Sequence, residues 1–221
     1  MLGYINYSKL VEADKYNQVQ TMDAESRKNC ITPEQRRRAA SPEGLESLFT
    51  PASVAIVGAS SRIGSVGRAV FENILGGDYT GTIYPVNKKA KSVCGVRAYP
   101  TLADIPDRVD MAVIIVPAGA VPGVAREAAA VGVKGLVVIT AGFKETGADG
   151  RKLEEELVAI CHENNMRLAG PNCLGVINTD PAVGLNASFA RTRANPGNIA
   201  FISQSKKVNG GRGRMSECVL R

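Results

Sequence analysis

Between residues 53 and 140 the chain alternates short, near-continuous apolar runs with stretches of helical period. The runs are SVAIVG (53–58), TIYPV (82–86), MAVIIV (111–116) and GLVVIT (135–140). Each is short and rich in Val and Ile without polar alternation, which is the pattern of a strand buried on both faces. Helices are predicted from about Val66 to Leu75 and from Val121 to Val131, where they give right-handed crossovers between parallel neighbours. A further helix from about Asp149 to Asn164 places Leu153, Leu157, Ile160 and Cys161 at i, i+4, i+7 and i+8, so one stripe faces the sheet. A short strand near Arg167 to Ala169 closes the unit. This order of elements predicts an α/β fold, a doubly wound and mostly parallel sheet.

The flanks lack that pattern. Residues 1–40 are polar, mix both charge signs and sustain neither period, and read as a flexible extension. From Ser41 the character changes: Pro42 sits where a helix would start, Leu45, Leu48 and Phe49 share a face, and Pro51 stops the segment. The folded domain is expected over 41–180. After GPNCLGVINT (170–179), residues 181–205 read as a linker followed by NIAFIS (198–203), the first strand of an incomplete second domain. The remaining KKVNGGRGRMSECVLR, residues 206–221, is a divergent basic tail without a core pattern. Loss of pattern at both ends leads us to expect a truncated or altered product, with a natural stand-alone protein as the alternative.

The 44% hydrophobic content suffices for a buried core, and no apolar run reaches membrane-spanning length, about 18 residues. With no signal-like amino terminus, a cytoplasmic location is expected. The net charge of +6 matters less than its placement. Residues 1–40 carry 7 basic and 5 acidic side chains, 41–205 carry 15 and 15, and 206–221 carry 5 and 1. A neutral core with basic flanks argues against a nucleic-acid partner. Five scattered cysteines, with no CxxC pair and a single histidine, predict reduced thiols and no metal site.

The candidate chemistry begins at Gly58–Gly67, VGASSRIGSVG, which leaves an apolar strand and enters a helix. Gly58 and Gly64 there let backbone amides approach a phosphate at the positive end of that helix. The second strand narrows the ligand. A fold that binds NAD ends this strand with a carboxylate for the ribose hydroxyl, whereas YPVNKKAK (84–91) offers only Lys88, Lys89 and Lys91. A nucleotide with an extra ribose phosphate, coenzyme A or NADP, suits it better. Tyr84 and Lys88 form a YxxxK pair like that of short-chain reductases, but Pro85 excludes a helix interior and the pair lies only 26 residues after Gly58.

The ordered set LFTPASVAIVGAS, YPVN, CGVRAYPTLADIP, VDMAVIIVPA, ITAGFKE and RLAGPNCLGVINT resembles the CoA-binding domain shared by ADP-forming acyl-CoA synthetases, the alpha subunit of succinyl-CoA synthetase and related bacterial protein acetyltransferases. The resemblance covers about residues 45–205 and implies a Rossmann-like fold with CoA or acyl-CoA as ligand. It implies CoA-contacting loops at Ser60, Ser61 and Arg62, at Asn87 and Lys89, at Val116, Pro117 and Ala118, and at Ile139, Thr140 and Ala141. Lys88 stands where relatives commonly have proline, which leaves either Lys88 or Lys89 as the phosphate ligand. Complete relatives convert acyl-CoA, ADP and phosphate to acid, CoA and ATP through a phosphohistidine in a second domain, with an ATP-grasp partner. The single histidine here, His162, falls about 180° from the sheet-facing stripe of its helix. Cys173 in GPNCLG and Ser205 resemble parts of the phosphoryl site, but the pattern stops at Ser205. The expectation is a CoA-binding module that does not turn over alone, with an NADP-linked oxidoreductase as the alternative.

Overall fold

The computed structural model describes residues 44–197 together with Ala200 and Ile202. The extension at 1–40, the tail at 206–221 and most of NIAFIS therefore lie outside the described residues. The chain enters through a short helix α1 (Glu46–Phe49), starting later than Pro42 suggests and burying Leu48. Strand β1 (Ser53–Val57), helix α2 (Val66–Leu75) and strand β2 (Thr82–Val86) follow. A small hairpin, β3 (Ser92–Val93) with β4 (Val96–Arg97), interrupts the path to β5 (Met111–Ile114). Next come helix α3 (Val121–Ala130), β6 (Gly135–Val138), helix α4 (Ala148–Glu163) and β7 (Arg167–Ala169). Strands β8 (Gly175–Asn178) and β9 (Leu185–Ser188) end the described elements.

Five strands form one sheet in the order β2-β1-β5-β6-β7, every pair parallel. Strands β1, β5 and β6 are buried along their whole length, as their uninterrupted apolar runs require. Alternate side chains feed two cores. On one face Val57, Ile114, Leu136 and Val138 pack with Val121 and Ala125 of α3 and Leu157 and Ile160 of α4. On the other, Val54, Ile56, Val113 and Val137 pack with Val70, Phe71 and Ile74 of α2. In chain order the sheet reverses direction of growth between β1 and β5, the switch point beyond whose carboxyl ends doubly wound sheets bind their ligands.

The stretch expected to be a linker from 181 instead contributes β9, which pairs antiparallel with β8. Val176, Leu185 and Ala187 of this hairpin join the α2 core. Its polar residues are buried but bonded: the Asn178 side chain donates to the Phe49 carbonyl at 2.8 Å, and the Ser188 hydroxyl to Asn186 Oδ1 at 2.7 Å. Asn73 of α2 donates to the carbonyls of Ser188 and Ala190 at 2.8 and 2.9 Å. The hairpin is thus part of the folded unit.

Candidate functional site at the carboxyl edge of the sheet

Four loops meet where β1, β2, β5 and β6 end. The first begins at Gly58, whose φ of +98° belongs to glycine, and a Cβ there would overlap the Ile115 carbonyl oxygen. A Cβ on Gly67 would in turn overlap the Gly58 carbonyl oxygen. The two glycines let α2 start directly above the strand end. Ser65 caps the helix, its hydroxyl accepting from the Arg68 amide at 3.3 Å and donating to the Arg62 carbonyl at 2.7 Å. The remaining first-turn amides have no carbonyl one turn back, which makes the helix start an anion-favouring position.

The turn is held from outside. Arg68 donates to the Ser61 carbonyl at 2.7 Å and pairs with Glu72 at 2.7 Å, so it braces the turn. The Arg62 amide donates to Ser60 Oγ at 3.0 Å, and the Cys94 amide, at the tip of the β3–β4 hairpin, donates to Ser61 Oγ at 3.0 Å. Ser61, Arg62 and Gly64 are exposed and Ser60 is half-buried. Beside the turn a cleft of about 420 Å³ opens between the start of α2 and Phe189 and Arg191.

Asn87 ties the second loop to the first. Its Nδ2 donates to the Ala59 carbonyl at 2.8 Å, while Oδ1 accepts from the Lys89 and Ala90 amides, both at 2.9 Å. Both ends of the amide are therefore engaged within the protein, which makes Asn87 an organiser of the loop that carries Lys88 and Lys89. Those two lysines and Lys91 are exposed and pair with no carboxylate among the described residues.

The third and fourth loops are joined by Thr140, whose hydroxyl donates to the Val116 carbonyl at 2.7 Å. Val116, Ala118 and Thr140 are half-buried, Ile139 is buried, and Pro117 and Ala141 are exposed. The Asn172 amide donates to the Thr140 carbonyl at 2.9 Å, which brings the GPNCLG segment to the same edge. Cys173 Sγ donates there to the Val138 carbonyl at 3.3 Å. His162 is exposed on α4, and among the described residues no group of His, Cys, Asp and Glu could hold a metal ion. Sequence reasoning missed Arg68 and the β3–β4 tip as braces; only the fold brings them to the turn.

The edge thus gathers the four loops singled out from the sequence, whereas Ser205 lies outside the described residues. The family described as CoA binding domain matches residues 52–179. The chain belongs to that family. Among its relatives, the CoA binding domain here is 45% identical over 161 residues to an ADP-forming acetate–CoA ligase I of Archaeoglobus fulgidus, covering 73% of this chain and 23% of that one. It is 45% identical over 168 residues to the alpha subunit of an ADP-forming acetate–CoA ligase II of Pyrococcus furiosus, covering 76% and 36%. Among solved structures, it resembles the dinucleotide-forming acetyl-coenzyme A synthetase 1 of Ca. Korarchaeum cryptofilum, in complex with phosphate and ADP, at 45% identity and a TM-score of 0.69, covering 73% and 34%. The chain therefore spans about a quarter to a third of the length of these relatives. Among the described residues no helix is long and apolar enough to cross a membrane.

Proposed function

We propose that this domain binds CoA, free or as an acyl thioester, across the carboxyl edge of the sheet. The observation that carries the reading is that the four loops follow the carboxyl ends of β1, β2, β5 and β6 around the point where the strand order reverses, which is where doubly wound sheets bind their ligands. The residues present fit the ligand. The glycine pair lets the α2 amides approach a phosphate, and the unpaired Lys88 and Lys89 supply charge for a second phosphate on the ribose. Ser60, Ser61 and Arg62 offer hydrogen bonds at the first turn, and Val116 to Ala118 and Ile139 to Ala141 form the walls. When bound, CoA supplies the thiol on which an acyl group is carried. The chain's own work is to hold and orient it.

The likeness to ADP-forming ligases supports a role as one part of such an acid–thiol ligase, with phosphoryl transfer performed by second-domain and ATP-grasp parts. The chain alone is not expected to turn over. The neutral charge balance of 41–205 supports a small-molecule ligand rather than nucleic acid. Free thiols at Cys94 and Cys161 suit a cytoplasmic setting.

Calorimetric titration with CoA, 3′-dephospho-CoA, NADP and NAD tests the reading. CoA is expected to bind, and removal of its 3′-phosphate to weaken it by about ten-fold or more, since one charge-assisted phosphate contact is worth about 1.5–3 kcal/mol. Preference for NADP would favour the oxidoreductase alternative, and preference for NAD would reject both.

A further inference from the structure

Beside the lysine loop, the residues after the β3–β4 hairpin are zipped onto the end of β2. The Tyr99 amide donates to the Pro85 carbonyl and the Asn87 amide to the Tyr99 carbonyl, both at 2.9 Å. The Ala98 amide donates to the Lys91 carbonyl at 3.0 Å, and Arg97 lies opposite Ser92 in the hairpin register. The Arg97 guanidinium sits over the Tyr99 ring, 5.3 Å from its centroid. Tyr99 is in turn braced edge-on by Tyr84 at 6.0 Å between ring centroids. The nearest acids in sequence are occupied elsewhere: Asp107 accepts from the Tyr84 hydroxyl at 2.8 Å, and Asp104 from the Thr101 hydroxyl at 2.7 Å. Among the described residues Arg97 has no carboxylate partner.

Four cations, Lys88, Lys89, Lys91 and Arg97, thus share the strand end at which a doubly wound sheet reads the ribose of its ligand, and none is neutralised. Stacking on an aromatic face restrains a guanidinium while leaving its donors open and its charge intact, and its planar fork suits phosphate oxygens. An arginine kept only for solubility has no need of a braced ring beneath it.

We infer that Arg97, held on Tyr99, recognises the ribose phosphate of the bound nucleotide and sets the preference for CoA over 3′-dephospho-CoA. The inference rests on the proposed CoA site and adds to it a specificity-determining residue from outside the lysine loop. Arg97 is exposed, so its replacement leaves the core untouched.

The test is the affinity of the full chain for CoA and for 3′-dephospho-CoA in the wild type, Arg97→Gln and Tyr99→Leu, with thermal melting of each. Arg97→Gln is expected to weaken CoA on the order of ten- to a hundred-fold, from the loss of a charge-assisted contact, and to leave dephospho-CoA unchanged. Tyr99→Leu keeps the charge but frees it, and should lose part of the same preference. Wild-type discrimination that survives intact in Arg97→Gln overturns the assignment of Arg97 while leaving the CoA site standing. Equal weakening of both ligands also overturns it. A wild type that binds both ligands equally overturns the inference while leaving CoA binding standing, and a wild type that binds neither overturns the proposed CoA site along with it.

Discussion

Asn87 offers the sharpest test of how the edge is organised, because one half-buried amide makes three hydrogen bonds across two loops. In Asn87→Ala the Ala59 carbonyl and the Lys89 and Ala90 amides lose their partner together. At a net value of about 0.5–1.5 kcal/mol each, the upper sum is about 4.5 kcal/mol. Water reaches this position, so the expected loss in urea unfolding is about 1.5–3 kcal/mol. Ligand affinity should fall as well, because the freed loop must be ordered on binding at about 1–2 kcal/mol per residue. Two such residues correspond to about a thirty-fold or greater weakening of CoA. Asn87→Asp separates the two halves of the amide: it keeps the acceptor for the Lys89 and Ala90 amides but sets a carboxylate oxygen against the Ala59 carbonyl. It should recover part of the stability while still weakening CoA, since a negative charge now sits beside the lysines. A stability change in Asn87→Ala below about 0.5 kcal/mol with unaltered CoA affinity would refute this role, because bonds that mattered could not be removed without cost.

Gly58→Ala should destabilise the domain by about 2–4 kcal/mol, combining the left-handed backbone cost with displacement of the Ile115 carbonyl; an unchanged melting temperature would contradict the close approach of β1 and β5. Thiol alkylation followed by mass spectrometry at pH 8 should label exposed Cys94 readily and spare Cys161, whose thiol burial pushes up to about 12; equal labelling would mean that the α4 face is not closed. Burial also raises the Tyr79 phenol, with Asp110 adding to it, and burial and then the Asp107 contact raise Tyr84. Each of these groups holds its proton more tightly when folded, so its stabilising contribution is complete below the ordinary pKa, 9.0 for the thiol and 10.0 for the phenols, and is lost as pH rises through the folded values. Urea midpoints should therefore fall from about pH 9 towards pH 12, and a midpoint that rises over that range would refute the assignment.

The five strands of the main sheet and the three longer helices were legible because a strand buried on both faces must be apolar throughout, as Val54–Val57 and Met111–Ile114 are. The β8–β9 hairpin was not legible. Its inner positions include Asn178, Asn186 and Ser188, which are buried at 7, 7 and 0% exposure, and polar residues at buried positions erase the period on which strand prediction rests. What admits them is hydrogen bonding: Asn178 donates to the Phe49 carbonyl, 129 residues away in sequence, and the Asn186 and Ser188 side chains bond to each other. The same limit applies to the candidate site. The glycine turn and the lysine loop announce themselves locally, and the loops after β5 and β6 follow from family likeness. The braces, Arg68 on Ser61 and Arg97 on Tyr99, depend on how loops settle against one another. Asn87 stood out in the sequence as a candidate contact, and in the structure it joins the two loops.

The central claim is that the ligand lies across the carboxyl edge of the sheet, over the switch point between β1 and β5. The measurement that tests it most directly is backbone amide NMR of the chain titrated with CoA. The largest shifts should fall at 58–67, 87–91, 115–118 and 139–142, with little change on the amino-terminal ends of the strands or on the outer face of α4. Shifts concentrated at the amino edge, or a titration that leaves the Gly58–Gly67 turn unmoved, would contradict it.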